Sequence, residues 1–151
     1  MDGLRELYEE IILDHNRNPR NFNKKQDDTN HSAHGHNPLC GDEFTLHLTI
    51  EDNTITDIGF EGTGCAISTA STSMMTEILI GKSTQEANVI FQNIHQLLTD
   101  EDDLEVDQSV LGKLTILSGV KEFPMRVKCA TLGWHIMQAA MNNKQSTIST
   151  E

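Results

Sequence analysis

Cys40 and Asp42 flank Gly41 in the run Pro38-Leu39-Cys40-Gly41-Asp42. Glycine there lets the backbone turn so that a thiolate and a carboxylate converge on one point. Cys65 follows Gly62-Thr63-Gly64 at the predicted amino end of a helix, where unpaired backbone N–H groups and the helix dipole stabilise negative charge. Cys129 lies near the start of the last predicted helix, and Arg126, three residues earlier, falls on the same face. Three thiolates and one carboxylate are four ligands of the kind zinc accepts in a tetrahedron, and Arg126 could offset part of the charge such a site retains. The carboxylate is the harder ligand, so a mixed site exchanges a ligand more readily than one built only from thiolates. There is no CxxC pair and the cysteines are far apart. Spacing by itself therefore leaves a metal site and three inert, buried thiols both open.

His31, His34 and His36 form an HxxHxH tract just ahead of Cys40. Such a tract could supply imidazoles to a second or competing metal, but its composition reads first as a solvated loop. His15, His47, His95 and His135 are isolated and read as surface or satisfied core positions. Met74, Met75 and Met137 sit in helical apolar patterns as core filler, and Trp134 reads as packing. For Arg126 the alternative to a role at the site is an ordinary surface ion pair.

These residues need elements to position them. Leu4, Leu7, Tyr8, Ile11 and Ile12 recur at helical spacing, which predicts an amphipathic first helix ending near Pro19. Residues 20–37 are polar and read as loop or extended edge, with a third strand near Thr29 to Gly35 as the alternative. Phe44, Leu46, Leu48 and Ile50 alternate with polar residues, and a second strand from about Thr54 to Glu61 follows the turn at Asp52-Asn53. A helix is predicted from about Cys65 to Ile80, stopped by Gly81. Ser83 and Glu86 are spaced as a capping box ahead of a helix with an apolar stripe from Ala87 to Leu98. Residues 99–108 hold six acidic side chains and read as a solvated linker, followed by a short helix around Val110 to Leu117. Pro124 opens the last helix, which runs to about Asn142. The fold class predicted is α+β, a small antiparallel sheet of about three strands with helices packed on one face. Residues 1–143 read as a single domain and 144–151 as a disordered tail.

Eleven basic residues against 23 acidic ones give a formal charge of -12, which repels a phosphate backbone or an anionic lipid surface and argues against nucleic acid and membrane partners. No apolar run approaches the roughly 18 residues a membrane helix needs, and the acidic amino terminus does not read as a targeting segment, so the cytoplasm is the expected compartment. In that reducing setting metal binding or thiol chemistry is the natural use of three cysteines.

Three stretches carry a resemblance: Asn37-Pro38-Leu39-Cys40-Gly41-Asp42, Phe60-Glu61-Gly62-Thr63-Gly64-Cys65-Ala66-Ile67-Ser68, and the segment from Phe123 to Trp134 that holds Lys128 and Cys129. In this order they resemble the three cysteine motifs of the SufU/IscU family, the NifU N-terminal-like proteins of iron-sulfur cluster assembly, over about residues 4 to 142. The chain is more similar to the SufU branch. IscU-type scaffolds have a histidine immediately before the third cysteine, where Lys128 stands here, and a chaperone-recognition segment that Glu122 to Arg126 replaces. The acidic stretch and short helix around 99–118 also look like the extra segment of SufU proteins. The resemblance implies zinc bound by Cys40, Asp42, Cys65 and Cys129, with Cys40 accepting persulfide sulfur from a SufS-type cysteine desulfurase and passing it to downstream Fe-S assembly proteins. It further implies that a histidine of the desulfurase displaces Cys40 from zinc, and that Arg126 holds the site or steers the persulfide. The chain would then be a sulfurtransferase only in company with its partner. The alternative is a scaffold on which a [2Fe-2S] cluster is assembled on the same thiolates and passed on. A purely structural zinc site is a third reading.

Overall fold

A computed structural model of the chain describes residues 2–24, 29–38, 41–99, 111–120, 123–142 and 147–149. Helix α1 (Asp2–Arg17) is followed by turns over residues 18–24, and β1 (His31–Asn37), β2 (Asp42–Glu51) and β3 (Thr54–Thr63) come next in the described chain. Then come α2 (Ala66–Leu79), α3 (Thr84–Thr99), a 3-10 helix (Gly112–Val120), α4 (Pro124–Met141) and a three-residue β4 (Thr147–Ser149).

The alternation along β2 decides which way the sheet faces. Phe44, Leu46 and Leu48 are at most 1% exposed, and the register sets them beside Gly62, Phe60 and Ile58 of β3. Cross-strand partners project to the same side, so one face of the sheet is continuous apolar surface. Helix α4 lies across β1 and β2 on that face and α2 packs on α4, with α1 in turn on α2. The opposite face carries Glu43, Thr45, His47 and Glu61, all exposed or half-buried. This is the predicted α+β arrangement, three antiparallel strands with helices on one side.

Turn chemistry and caps fall where the sequence places them. Asp52 and Asn53 both have positive φ, at 51° and 62°, as the two central residues of a tight hairpin turn require. Ser83 Oγ accepts the Glu86 N–H and Glu86 Oε1 accepts the Ser83 N–H, each at 3.0 Å, the reciprocal capping box. The accepted bond holds the Glu86 carboxyl below its usual range. Met74, Met75, Met137 and Trp134 are at most 2% exposed, in the core as expected.

Of the two readings of the polar segment the strand holds and the solvated loop does not: His31–Asn37 is a seven-residue strand paired antiparallel with β2, close to the third strand expected near Thr29 to Gly35. It lacks the apolar alternation of β2, and what makes it a strand is the ladder its neighbour offers. The short helix expected around Val110 to Leu117 is present as the 3-10 helix Gly112–Val120, with Leu114, Ile116, Leu117 and Val120 buried. In the stretch expected to be a disordered tail, Thr147–Ser149 pair in parallel with His34, Gly35 and His36. The acidic linker around 100–110 lies outside the described residues.

Candidate metal centre

Asp42 opens β2, Cys65 caps α2 and Cys129 lies in the second turn of α4. One ligand atom from each, the Asp42 carboxylate oxygen and the two sulfurs, all lie within 4.8 Å of one another. Four ligands at zinc–sulfur and zinc–oxygen bond lengths sit roughly 3.5 to 3.8 Å apart around a tetrahedral ion, and Asp42 Oδ2 is 3.9 Å from Cys65 Sγ. Among the described residues this is the one group of three or more histidine, cysteine or acidic side chains that converges in this way. Cys40, the fourth residue of the predicted set, lies outside the described residues. Gly41 beside it has φ +74°, the left-handed conformation its place between the two ligands calls for.

The fold prepares each position. The Cys65 backbone N–H donates to Asp42 Oδ1 at 2.9 Å, so the carboxylate ties the amino end of α2 to the start of β2. Cys65 Sγ accepts the Ser68 N–H at 3.4 Å in the N-cap geometry, and Ser68 Oγ lies 3.5 Å from the same sulfur. Helix α4 is drawn against α2 by Gly133, where an added Cβ would stand 2.3 Å from Thr72 Oγ1. One helical turn nearer the site, Ser71 Oγ donates to the Ala130 carbonyl at 2.6 Å and accepts from Trp134 Nε1 at 3.2 Å. Cys129, adjacent to Ala130, is thereby held toward α2.

Burial is uneven across the three. Asp42 is 1% and Cys129 4% exposed, whereas Cys65 is exposed. A carboxylate withdrawn this far from water needs a compensating charge. A dication held between it and two thiolates would supply that charge, so the donor set fits a borderline metal such as zinc.

Arg126 sits in the first turn of α4, exposed, its guanidinium 4.7 Å from the Phe123 ring centroid in a cation–π contact. The sequence reading missed Ser68 and the buried hydroxyls of α2, of which Ser71 and Thr72 have no exposed surface. The signal for Ser68 is its place three residues after a helix-capping cysteine. Of the isolated histidines, His15 is buried and bonded to Ser73 Oγ at 2.8 Å, while the His95 and His135 rings meet edge to face at 5.9 Å.

No helix among the described residues is long and apolar enough to cross a membrane. The family model of the NifU-like N terminal domain matches residues 7–145. A protein of Streptococcus pyogenes serotype M1 named iron-sulfur cluster assembly scaffold protein IscU is 37% identical over 93% of this chain and 86% of its own. The zinc-dependent sulfurtransferase SufU of Bacillus subtilis is 36% identical over 95% of each. A crystal structure from Fervidobacterium islandicum, titled as an iron-sulfur cluster assembly scaffold protein for the SUF system, superposes with a TM-score of 0.79 at 36% identity, over 87% of this chain and 94% of that one. With the three motif segments folded around one group of donors, the chain belongs to the NifU-like N-terminal family of iron-sulfur cluster assembly proteins, the family of IscU and SufU.

Proposed function

We propose that this protein is a zinc-dependent sulfur carrier that takes persulfide sulfur from a cysteine desulfurase and hands it on for iron-sulfur cluster assembly. The observation that carries the reading is the convergence of Asp42, Cys65 and Cys129, with Cys40 one glycine away from Asp42 along the chain. Asp42, Cys65, Cys129 and Cys40 would hold the zinc, which contributes positive charge that keeps thiolates deprotonated until they are used. The name of the Bacillus subtilis relative supports the same reading.

Cys40 is the acceptor. Its neighbours in the set are fixed: Cys65 by the α2 cap and Cys129 by the α2–α4 contact, whereas Cys40 precedes a left-handed glycine in the connection between β1 and β2. The Cys40 thiolate attacks the terminal sulfur of the partner's cysteine persulfide. A new S–S bond forms on Cys40, the S–S bond to the partner cysteine breaks, and that cysteine leaves as a thiolate. Sulfur changes hands with no net oxidation. Arg126, exposed one turn before Cys129, steers the anionic persulfide toward the site.

The names of the Streptococcus and Fervidobacterium relatives support a second reading, assembly of a [2Fe-2S] cluster on the same residues. One experiment separates the two. Protein purified in air is analysed for metals, then incubated with desulfurase and cysteine and weighed by mass spectrometry. One zinc per chain and an added sulfur on the peptide containing Cys40 are expected. Visible iron-sulfur absorption in place of zinc would favour the scaffold, and zinc without sulfur uptake would leave only a structural site.

A further inference from the structure

Of the two described cysteines in the donor group, Cys65 is exposed and Cys129 is buried. An exposed thiolate is a nucleophile in its own right and competes with Cys40 for incoming sulfur. Ser68 attends to that sulfur twice. Its N–H donates to Cys65 Sγ at 3.4 Å, and its hydroxyl stands 3.5 Å from the same atom. The hydroxyl also reaches the Cys65 carbonyl at 3.1 Å, but that carbonyl already accepts the Thr69 N–H at 3.0 Å. Once the sulfur is a thiolate, the hydroxyl can therefore turn its proton to it and leave no acceptor unpaired. Ser68 has no exposed surface, so water does not compete for this bond. Gly64 permits the approach, because a Cβ there would lie 2.4 Å from Ser68 Oγ.

We propose that Ser68 is a positioning residue that decides which cysteine takes the sulfur: its hydroxyl and N–H hold charge on the Cys65 sulfur and keep it a ligand rather than an acceptor. The inference rests on the sulfur-carrier reading. The reaction suppressed is attack by the Cys65 thiolate on the terminal sulfur of the partner's persulfide. That attack would form an S–S bond on Cys65, break the S–S bond to the partner cysteine and expel the latter as a thiolate. A hydrogen bond to the attacking sulfur weakens as its charge passes into the new bond, so each such bond raises the barrier. Supporting bonds of this kind are a usual means of tuning a metal ligand.

The test treats the zinc-loaded full chain with iodoacetamide and follows labelling of Cys65 and Cys129 by peptide mass spectrometry. Ser68→Ala, which keeps the N–H bond, should speed labelling of Cys65 by about 3- to 10-fold and leave Cys129 unchanged. Thr69→Ala removes the neighbouring hydroxyl, which reaches the Gly64 carbonyl at 3.5 Å, and should leave both rates as in the wild type. With desulfurase and cysteine added, sulfur should appear on Cys65 of Ser68→Ala as well as on Cys40. An unchanged Cys65 rate, a parallel rise at Cys129, an equal rise in Thr69→Ala, or a Ser68→Ala chain that no longer takes up one zinc would each overturn the proposal. Sulfur on no cysteine of the wild type would sink the sulfur-carrier reading and this inference with it, whereas sulfur on Cys40 alone in Ser68→Ala would sink this inference only.

Discussion

Asp42 Oδ1 accepts the backbone N–H of Cys65 at 2.9 Å while Oδ2 of the same carboxylate stands 3.9 Å from the Cys65 sulfur. One oxygen therefore holds the helix end and the other belongs to the donor group. Asp42→Asn should separate these roles. The amide oxygen can still accept the Cys65 N–H, but a neutral amide is a poor ligand. Replacing residues that merely support a ligand costs about 10- to 100-fold in metal affinity, and loss of a ligand should exceed that. Competition against a chromophoric chelator is the measurement, with apo-protein circular dichroism unchanged. Affinity within a few-fold of wild type would remove Asp42 from the set.

Metal removal should cost stability, because Asp42, Cys65 and Cys129 arrive from three elements far apart in sequence and binding favours only the folded arrangement. A ligand present at 100 times its dissociation constant adds about 2.7 kcal/mol, and each kcal/mol moves the melting temperature of a domain this size by about 2 to 4 °C. Chelation should therefore lower the Tm by roughly 5 to 10 °C, read by calorimetry with and without chelator. Superimposable curves would refute it.

Cys40→Ala should abolish stimulation of the desulfurase and sulfur uptake together, because Cys65 and Cys129 are each held by the helix they belong to. Cys65 is tied through its sulfur to the Ser68 N–H at 3.4 Å, and Cys129 directly precedes Ala130, whose carbonyl accepts the Ser71 hydroxyl at 2.6 Å. Persulfide formation in the variant, located by peptide mass analysis on Cys65 or Cys129, would reassign the acceptor.

The donor group was readable before any coordinates because its signals are local: a glycine between two ligand types, a cysteine at a helix start, a cysteine just after Pro124. The hairpin was readable for the same reason, from alternation in β2 and an Asp52-Asn53 turn. What was not readable depends on partners distant in sequence. Only Ala33 of β1 is a buried hydrophobic residue, so the sequence leaves His31–Asn37 open between loop and edge strand until β2 is beside it. The hydroxyls of α2 look like surface by composition, yet Ser71, Thr72 and Ser73 are fully buried because a helix packed between α1 and α4 needs small side chains.

Gly133→Ala tests that packing. The new methyl would meet Thr72 Oγ1 at 2.3 Å and Thr72 Cβ at 3.1 Å, and overpacking of a close contact costs about 1 to 3 kcal/mol. Since Cys129 lies one turn away on the same helix, zinc affinity should fall with stability. Thr72→Ala, which removes the clashing hydroxyl and methyl, should restore part of both in the double variant. Urea midpoints and chelator competition on the four proteins give the cycle. Strict additivity would mean that the α2–α4 contact does not position Cys129.

Acid sensitivity should begin above the carboxylate range. His15 is 6% exposed, with Nδ1 on Ser73 Oγ at 2.8 Å and Nε2 at 3.4 Å from Glu77. Burial, helped by Arg20, holds its pKa below the ordinary 6.5 against the opposing pull of Glu77 and Asp14. The unfolded chain therefore takes up this proton first. The contribution of His15 is fully present above pH 6.5 and is lost as pH falls from there toward the folded value. Burial and the neighbouring His95 depress His135 in the same direction, so its contribution too is lost as pH falls below 6.5. Asp14 and Glu86, also depressed, lose their contributions only below the ordinary carboxylate values. Unfolding free energy measured between pH 7.5 and about 5 should decline in the wild type. His15→Gln should flatten part of that slope and a double variant with His135→Gln more of it. An unchanged slope in the double variant would show that neither buried imidazole sets the acid response.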